Sequence, residues 1–518
     1  MDKRYDILKT MTGGLIELAA HGQDDLFLTN DPQITFFKVI YRRHTNFSTE
    51  ETEHSFLSDV NFGAKYVCLI PHDGDLIDGM SVRITLPEIP QFATGRGLDT
   101  ITKIAWARYI GFVLIRSIEI EINGRIIDRH YGEWMYIWSC LTTTNRNDGG
   151  LDRLIGNIPE LYEFSTSKPS YTLYIPLYFW FCRNTGCAIP VVALQYSDIR
   201  VNLEIDDLDN CILISPTHYI QCENDIECFK PGEYLVQNQP DGTKSYGRFH
   251  KYDIQNKRLY YQNIGSTKFI GNRSDAKNTK STDYLICGTT TQFYVSPVSN
   301  IGSIPHVYRS IRLQTLVRKD AVLMVNFVYL DEDERYKFAQ TKHDYLIERL
   351  YYTPSVQINS SNTKIKLNID QPCKLIVWVP RLRYITESND WTNYTDNHQR
   401  DHITGNPLGS SLILKEKIML NSGDRTNNQN HQYYEYIQSF AYSENSLPYG
   451  VGMYSFALFP LNIQPSGTTN MSQIELIELS MRMNRRVSQN NVAHVKVYAL
   501  CYNILRVNNG LCATVFTR

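Results

Sequence analysis

Ser117-Ile118-Glu119-Ile120-Glu121-Ile122-Asn123-Gly124-Arg125 is the stretch that decides the fold class of this chain. Isoleucine alternates with serine and glutamate at a period of two, the period of a strand with one face in a core. Asn123-Gly124 then tolerates positive φ at both positions, as a two-residue hairpin turn requires, and Arg125–His130 reads as the returning strand. The same alternation recurs outward in both directions. Val82, Ile84 and Leu86 alternate with Ser81, Arg83 and Thr85. Ile477, Leu479, Met481 and Met483 alternate with Glu478, Ser480 and Arg482. Val495, Val497, Ala499 and Cys501 alternate with His494, Lys496, Tyr498 and Leu500. Helices are few. Asp331–Leu350 keeps helical spacing behind an Asp331/Glu334 capping box, and Asp152–Phe164 is a second helix broken by Pro159. Many short strands with polar turns predict an all-β sandwich architecture rather than βαβ units.

A chain of 518 residues ordinarily divides into at least two domains, because single cores stop growing at about 250–300 residues. Hydrophobic residues make up 42% and charged residues 20%, enough apolar surface for real cores, and the net charge of −2 carries no global basic field for nucleic acid. The 35 tyrosines suit half-buried sheets and contact surfaces. The N-terminus has no continuous apolar signal region, and the apolar runs Val322–Val325 and Tyr174–Phe181 are too short to span a bilayer. The 11 cysteines are therefore expected as reduced, mostly buried thiols.

The residues carry no catalytic signature: no GxSxG, no GxxxxGK[ST], no HExxH and no strand-linked GxGxxG. Cys182 and Cys187, and Cys222 and Cys228, lack partners at zinc-finger spacing. The acidic runs Asp206-Asp207-Leu208-Asp209 and Asp331-Glu332-Asp333-Glu334 miss the glycine and closing glutamate of a calcium loop, and read as a solvated turn and a helix start. His21, His44, His54 and His72 are dispersed. The basic clusters Tyr41-Arg42-Arg43-His44 and Arg482 with Arg485-Arg486 read as solvated or interface-paired. Asn-x-Ser/Thr triplets at Asn46, Asn272, Asn359, Asn393 and Asn470 are expected to be unused.

Gly13-Gly14-Leu15-Ile16-Glu17-Leu18, followed by Leu26–Phe47 (LFLTNDPQITFFKVIYRRHTNF), closely resembles the N-terminal signature of major capsid proteins of nucleocytoplasmic large DNA viruses. Leu173–Asn184, Ala188-Ile189-Pro190 and Ala193-Leu194-Gln195-Tyr196 resemble the end of that family's first jelly roll. Tyr329–Arg335, Phe338-Ala339-Gln340 and Tyr345-Leu346-Ile347 resemble the opening strand and helix of its second. Met453–Leu458 with Gln464–Thr468, and Val497-Tyr498-Ala499 to Tyr502-Asn503, are similar to later blocks. Most of the chain is covered except 211–305, which is longer than in compact members. Leu420–Arg425 carries one residue more than the family's usual turn.

The resemblance implies two consecutive eight-stranded jelly-roll β-sandwiches with short helices and long loop insertions. The expected division is an N-terminal arm, 1–25, a first jelly roll, 26–210, a polar insertion or inter-domain segment, 211–305, and a second jelly roll, 306–518. The insertion contains the β-like pieces Lys257–Tyr261 and Thr291–Val295, and Thr386–Gly409 reads as a long surface loop. The implied role is structural. It is that of a late, non-enzymatic major capsid protein assembled in the host cytoplasm, whose pseudo-hexagonal homotrimers tile an icosahedral virion. Catalytic, cofactor-binding and metal residues are none. The implied partners are the chain itself, neighbouring capsomers, minor capsid and penton proteins, and inner viral membrane proteins, without sequence-specific nucleic-acid binding. Two other readings compete: a minor capsid or vertex protein of the same lineage, and a carbohydrate-binding sandwich stacking sugars on Trp134, Trp138, Trp180, Trp378 and Trp391. Trp134, Trp138 and Trp180 sit in apolar runs and read as core.

Overall fold

A period of two, repeated this often, produces sheets. The computed structural model describes residues 12–20, 31, 43–91, 93–94, 97–98, 102–143, 149–222, 229, 233–239, 241–254, 256–264, 267–271, 285–289, 291–303, 321–397, 406–421, 423–489 and 491–516. Two units separate, 1–46 and 47–518. In the first, the helix Gly13–Ala19 leaves Leu15, Ile16 and Leu18 exposed. Apart from Asp31 and 43–47, the signature stretch 26–47 lies outside the described residues.

In the second unit, eight strands build the first sandwich. Sheet A runs Phe47–Ser55, Ala321–Leu330, Leu76–Leu86, Tyr171–Pro176, and sheet B runs Lys65–Ile70, Ile199–Ile205, Ile115–Ile122, Arg125–His130. By position in the chain these orders are 1-8-3-6 and 2-7-4-5. The alternation works as expected: Val82, Ile84, Leu323, Val325 and Leu173 of sheet A share one core with Ile118, Ile120, Ile122, Val201 and Leu203 of sheet B. The hairpin turn has φ of 51° at Asn123 and 73° at Gly124, a conformation that costs an L side chain strain and glycine nothing.

A second sandwich repeats the order. Sheet D runs His343–Ile358, Ala493–Asn508, Pro372–Leu382, Gly452–Ser455, and sheet E runs Asn362–Lys366, Ile477–Met483, Ile413–Leu420, Gly423–Asp424. Ile376, Trp378, Val497 and Ala499 pack against Ile365, Ile418, Leu479 and Met481. The other face of sheet D is buried too, because Leu375, Val377, Val379, Tyr498 and Leu500 belong to the core of the first half. This double burial explains why Cys373–Val379 is nearly continuous in apolar residues instead of alternating.

Between the seventh and eighth strands of the first sandwich, described residues from His218 to Ser303 build a further layer, sheet C. Its seven strands among the described residues include His218–Cys222, Lys244–Asp253 and Arg258–Ile264. Ile220, Phe229, Leu235, Phe249, Leu259, Tyr261 and Phe269 fill its own core. The β-like pieces read at Lys257–Tyr261 and Thr291–Val295 fall on the strands Arg258–Ile264 and Tyr294–Val295.

Three expectations need revision. The strand before Asp331 does not open the second sandwich: Ala321–Leu330 lies between Phe47–Ser55 and Leu76–Leu86 as the eighth strand of the first. Only pairing with the far end of the chain decides this. The helix expected over Asp331–Leu350 stops at Gln340, where Thr341 turns extended. His343–Ile358 is a strand on Ala493–Asn508. Its helical spacing yields because aromatic and branched residues such as Tyr345, Ile347, Tyr351 and Thr353 suit a half-buried ladder. Thr386–Gly409 is not all surface loop, since Asn393, Tyr394 and Thr395 are buried. The Asn393 side chain makes that possible by donating to Asp390 and Asn397 O and accepting from Thr395. At Pro159 the expectation holds, with short helices Gly150–Leu154 and Pro159–Tyr162 on either side.

Candidate assembly site

The connection between the fifth and sixth strands of the first half forms the helix Gly132–Thr142. Glycine begins it for lack of space: a Cβ on Gly132 would sit 1.9 Å from the Phe112 carbonyl oxygen. The helix is apolar nearly all round. Trp134, Met135, Ile137, Trp138 and Leu141 are buried, the pattern of a helix enclosed on every side. It lies against the outer face of sheet D, with Tyr131 4.4 Å from Tyr352 and Trp134 5.6 Å from Tyr498, ring centre to ring centre.

Three acidic groups anchor this junction. Glu133 meets Arg381 at 2.5 Å, Lys496 at 3.0 Å and the Tyr498 hydroxyl at 2.9 Å. Burial alone would push its carboxyl up, but Arg381 and Lys496 outweigh it and hold the carboxyl at about 2. Glu348 takes Arg183 of the first half at 2.6 Å and also the buried Lys374, whose ammonium is pulled down to about 8 by burial against the opposing pull of Glu348. Asp128 accepts from the Leu350 amide at 3.0 Å and lies 3.1 Å from His130. Such pairs fix one geometry, because either partner left alone would be a buried, uncompensated charge. A cavity of about 230 Å³ at the same junction is lined by Tyr109, Phe112, Tyr131, Glu133, Trp391 and Tyr498, among others.

The residues singled out from the sequence are scattered rather than gathered. Trp134, Trp138, Trp180 and Trp378 are buried, unavailable for stacking on a sugar. Trp391 is half-buried and donates its indole N–H to Asn210 O. Asp206 and Asp207 pair with Arg116 at 2.7 and 2.9 Å, and Asp331 caps the helix Glu332–Gln340. Among the described residues no three Cys, His, Asp or Glu side chains form a metal-binding group. The Cys182 thiol is pushed up to about 12 by burial, as is that of Cys222, which leaves them poor nucleophiles. Cys228, His21 and Tyr41-Arg42 lie outside the described residues. Arg482 stands in the row Asn362–Arg482–Lys415 on the outer face of sheet E, and Arg486 reaches Asp396 at 3.7 Å. Of the triplet asparagines, Asn393 is buried and Asn470 accepts from the Ser472 amide. The groups singled out from the sequence stand apart from one another, and the described residues present several surfaces built for packing.

Comparison with known proteins fits that description. Residues 35–233 match the model of the major capsid protein N-terminus, and 334–513 that of the large eukaryotic DNA virus major capsid protein. A probable capsid protein of Acanthamoeba polyphaga mimivirus is 39% identical over 96% of this chain and 98% of its own length. The chain belongs to the major capsid protein family of large eukaryotic DNA viruses.

The chain has the double jelly-roll fold of solved capsid proteins. The Faustovirus major capsid protein superposes with a TM-score of 0.64 at 13% identity, covering 98% of both chains. A capsid chain of PBCV-1 virus gives 0.61 at 20% identity, covering 93% of this chain and all of that one. Family membership carries the structural role. Glu133, Arg381 and Lys496 went unremarked in the sequence because they lie far apart along the chain. The one available signal was an acid at the start of an otherwise apolar helix.

Proposed function

We propose that the chain forms homotrimeric, pseudo-hexagonal capsomers that tile the icosahedral shell of a large double-stranded DNA virus. The observation that carries this reading is the buried outer face of sheet D. It locks two sandwiches of identical strand order side by side, so one chain supplies two similar corners and three chains supply six. Closed cyclic symmetry makes such contacts heterologous but self-limiting. In this reading the chain is a virion component without enzymatic activity or cofactor, assembled in the host cytoplasm. Neighbouring capsomers contact its sides, and minor capsid, penton and inner membrane proteins contact its rims. The working parts are an arm, a first sandwich closed by Ala321–Leu330, the inserted sheet C as outer decoration, and a second sandwich.

Light scattering coupled to size exclusion tests this directly. The expected mass is three times the 60.0 kDa of one chain; a monomer at every concentration overturns the trimer.

A further inference from the structure

Both halves place a helical segment between their fifth and sixth strands. In the first it is Gly132–Thr142; in the second a π-helical turn, Tyr433–Ile437, runs into the helix Gln438–Tyr442. The two echo each other in sequence, as Tyr136-Ile137-Trp138-Ser139 and Tyr436-Ile437-Gln438-Ser439. They echo partly in detail as well: the Ser139 hydroxyl donates to Tyr136 O at 2.7 Å, and that of Ser439, which donates most closely to Glu435 O, also lies 3.1 Å from Tyr436 O. Their surroundings are opposite. Tyr136, Ile137 and Cys140 are 9, 0 and 1% exposed, whereas Tyr436, Ile437 and Phe440 are 45, 55 and 91% exposed. Leu458 and Phe459 add to the exposed apolar surface, Phe459 lining a cavity with Ala441 and Tyr442. An exposed apolar cluster of this kind marks a contact surface.

The first helix is covered by sheet D, so the covering surface for the second should be the matching sheet A. Their third strands, Leu76–Leu86 and Pro372–Leu382, are both 11 residues long. Aligning their ends places Ser81 at the position of Val377. The registers then agree row for row: Glu53–Met324–Ser81 stands where Tyr352–Tyr498–Val377 stands. Tyr352 and Tyr498 receive the first helix. The equivalent row on sheet A, with Tyr174 exposed on the same face, is exposed or half-exposed throughout.

We propose that 433–442 docks on the outer face of sheet A in a second copy of this chain, bringing its exposed Tyr436, Ile437 and Phe440 against that face beside the Glu53–Met324–Ser81 row, as Tyr136 stands beside Tyr352 and Tyr498 in the first half. The contact repeats between chains what Gly132–Thr142 makes within one, so half follows half around a closed ring. The inference rests on the trimer proposed above and names the surfaces that close it.

The test uses the full chain in two forms. Ile437→Asp with Phe440→Asp is expected to lower the trimer fraction at least ten-fold at a concentration where the native chain is fully trimeric, with unchanged circular dichroism. Met324→Cys with Phe440→Cys, treated with a short bismaleimide, is expected to give covalent dimers and trimers on a denaturing gel. Either substitution alone should give no more than the native chain, and a mixture of the two single variants should stop at dimers. Trimers that persist in the Asp variant and yield no covalent ladder overturn this contact while leaving the trimer standing. A Phe440→Cys chain that links instead to Leu18→Cys assigns the patch to the N-terminal segment and overturns it too. A native chain that is always monomeric defeats the trimer and this contact together.

Discussion

The outer faces of sheets A and D belong to sheets with the same strand order, yet they live in different environments. Sheet D carries Leu375, Val377, Val379 and Leu500 outward, and the first half covers them. Sheet A carries Glu51, Glu53, Ser81, Arg83 and Met324 outward, exposed or half-exposed, with Glu53 and Arg83 paired. The difference teaches that a face covered within one chain and a face open on that chain take different residues. A face covered during folding of one chain takes a continuous apolar run. A face exposed on the single chain keeps charges and presents apolar atoms singly.

The largest expected effect breaks the covered side. Glu133→Ala leaves Arg381 buried without its carboxylate and should cost about 3–5 kcal/mol in denaturant unfolding. A loss below about 1 kcal/mol would mean that the junction is far wetter than its geometry. Next, Ile137→Ala should cost about 2–5 kcal/mol, because it opens a cavity in a sealed helix. The matching Ile437→Ala should change the stability of the unassembled chain by no more than about 0.5 kcal/mol. Equal losses would erase the contrast between the helices.

Acid probes the same junction by linkage. The folded-state pKa of Glu133 is depressed to about 2 from an ordinary value of 4.5. Its stabilisation is therefore fully present above the ordinary value and is lost as the pH falls from there towards the folded one. Unfolding midpoints followed from about pH 6 to about pH 3 should decline, and should decline less in Glu133→Gln. The smallest effect concerns the turn between the fourth and fifth strands. Gly124→Ala at φ 73° should cost about 1 kcal/mol, measured as a small shift of the thermal midpoint.

Much of the architecture was legible in single segments. The hairpin at Asn123-Gly124 and the strands around Val82, around Leu479 and over Val495–Cys501 were readable because alternation and turn chemistry are local. Trp134, Trp138 and Trp180 were readable as core from their apolar neighbours. The path of 321–358 was not. Ala321–Leu330 is an ordinary apolar strand whose partners, Ile84 opposite Ala321 and Leu76 opposite Val328, lie far back in the chain. The helical spacing of Leu346, Ile347 and Leu350 is overruled by the ladder with Ala493–Asn508. At the candidate site the one local signal was Glu133 at the start of an otherwise apolar helix, because its partners Arg381 and Lys496 lie far along the chain.

By itself the sequence determined the class of elements, the turn at Asn123-Gly124 and, through its resemblance, the family, since these depend on neighbours in the chain. Tertiary structure alone decided that Ala321–Leu330 closes the first sandwich, that Glu133 is held by Arg381 and Lys496, and that one of two similar helices is sealed while the other leaves Tyr436, Ile437 and Phe440 exposed. Each of those depends on which surfaces meet across distant parts of the chain, where burial and paired charge outweigh any local preference.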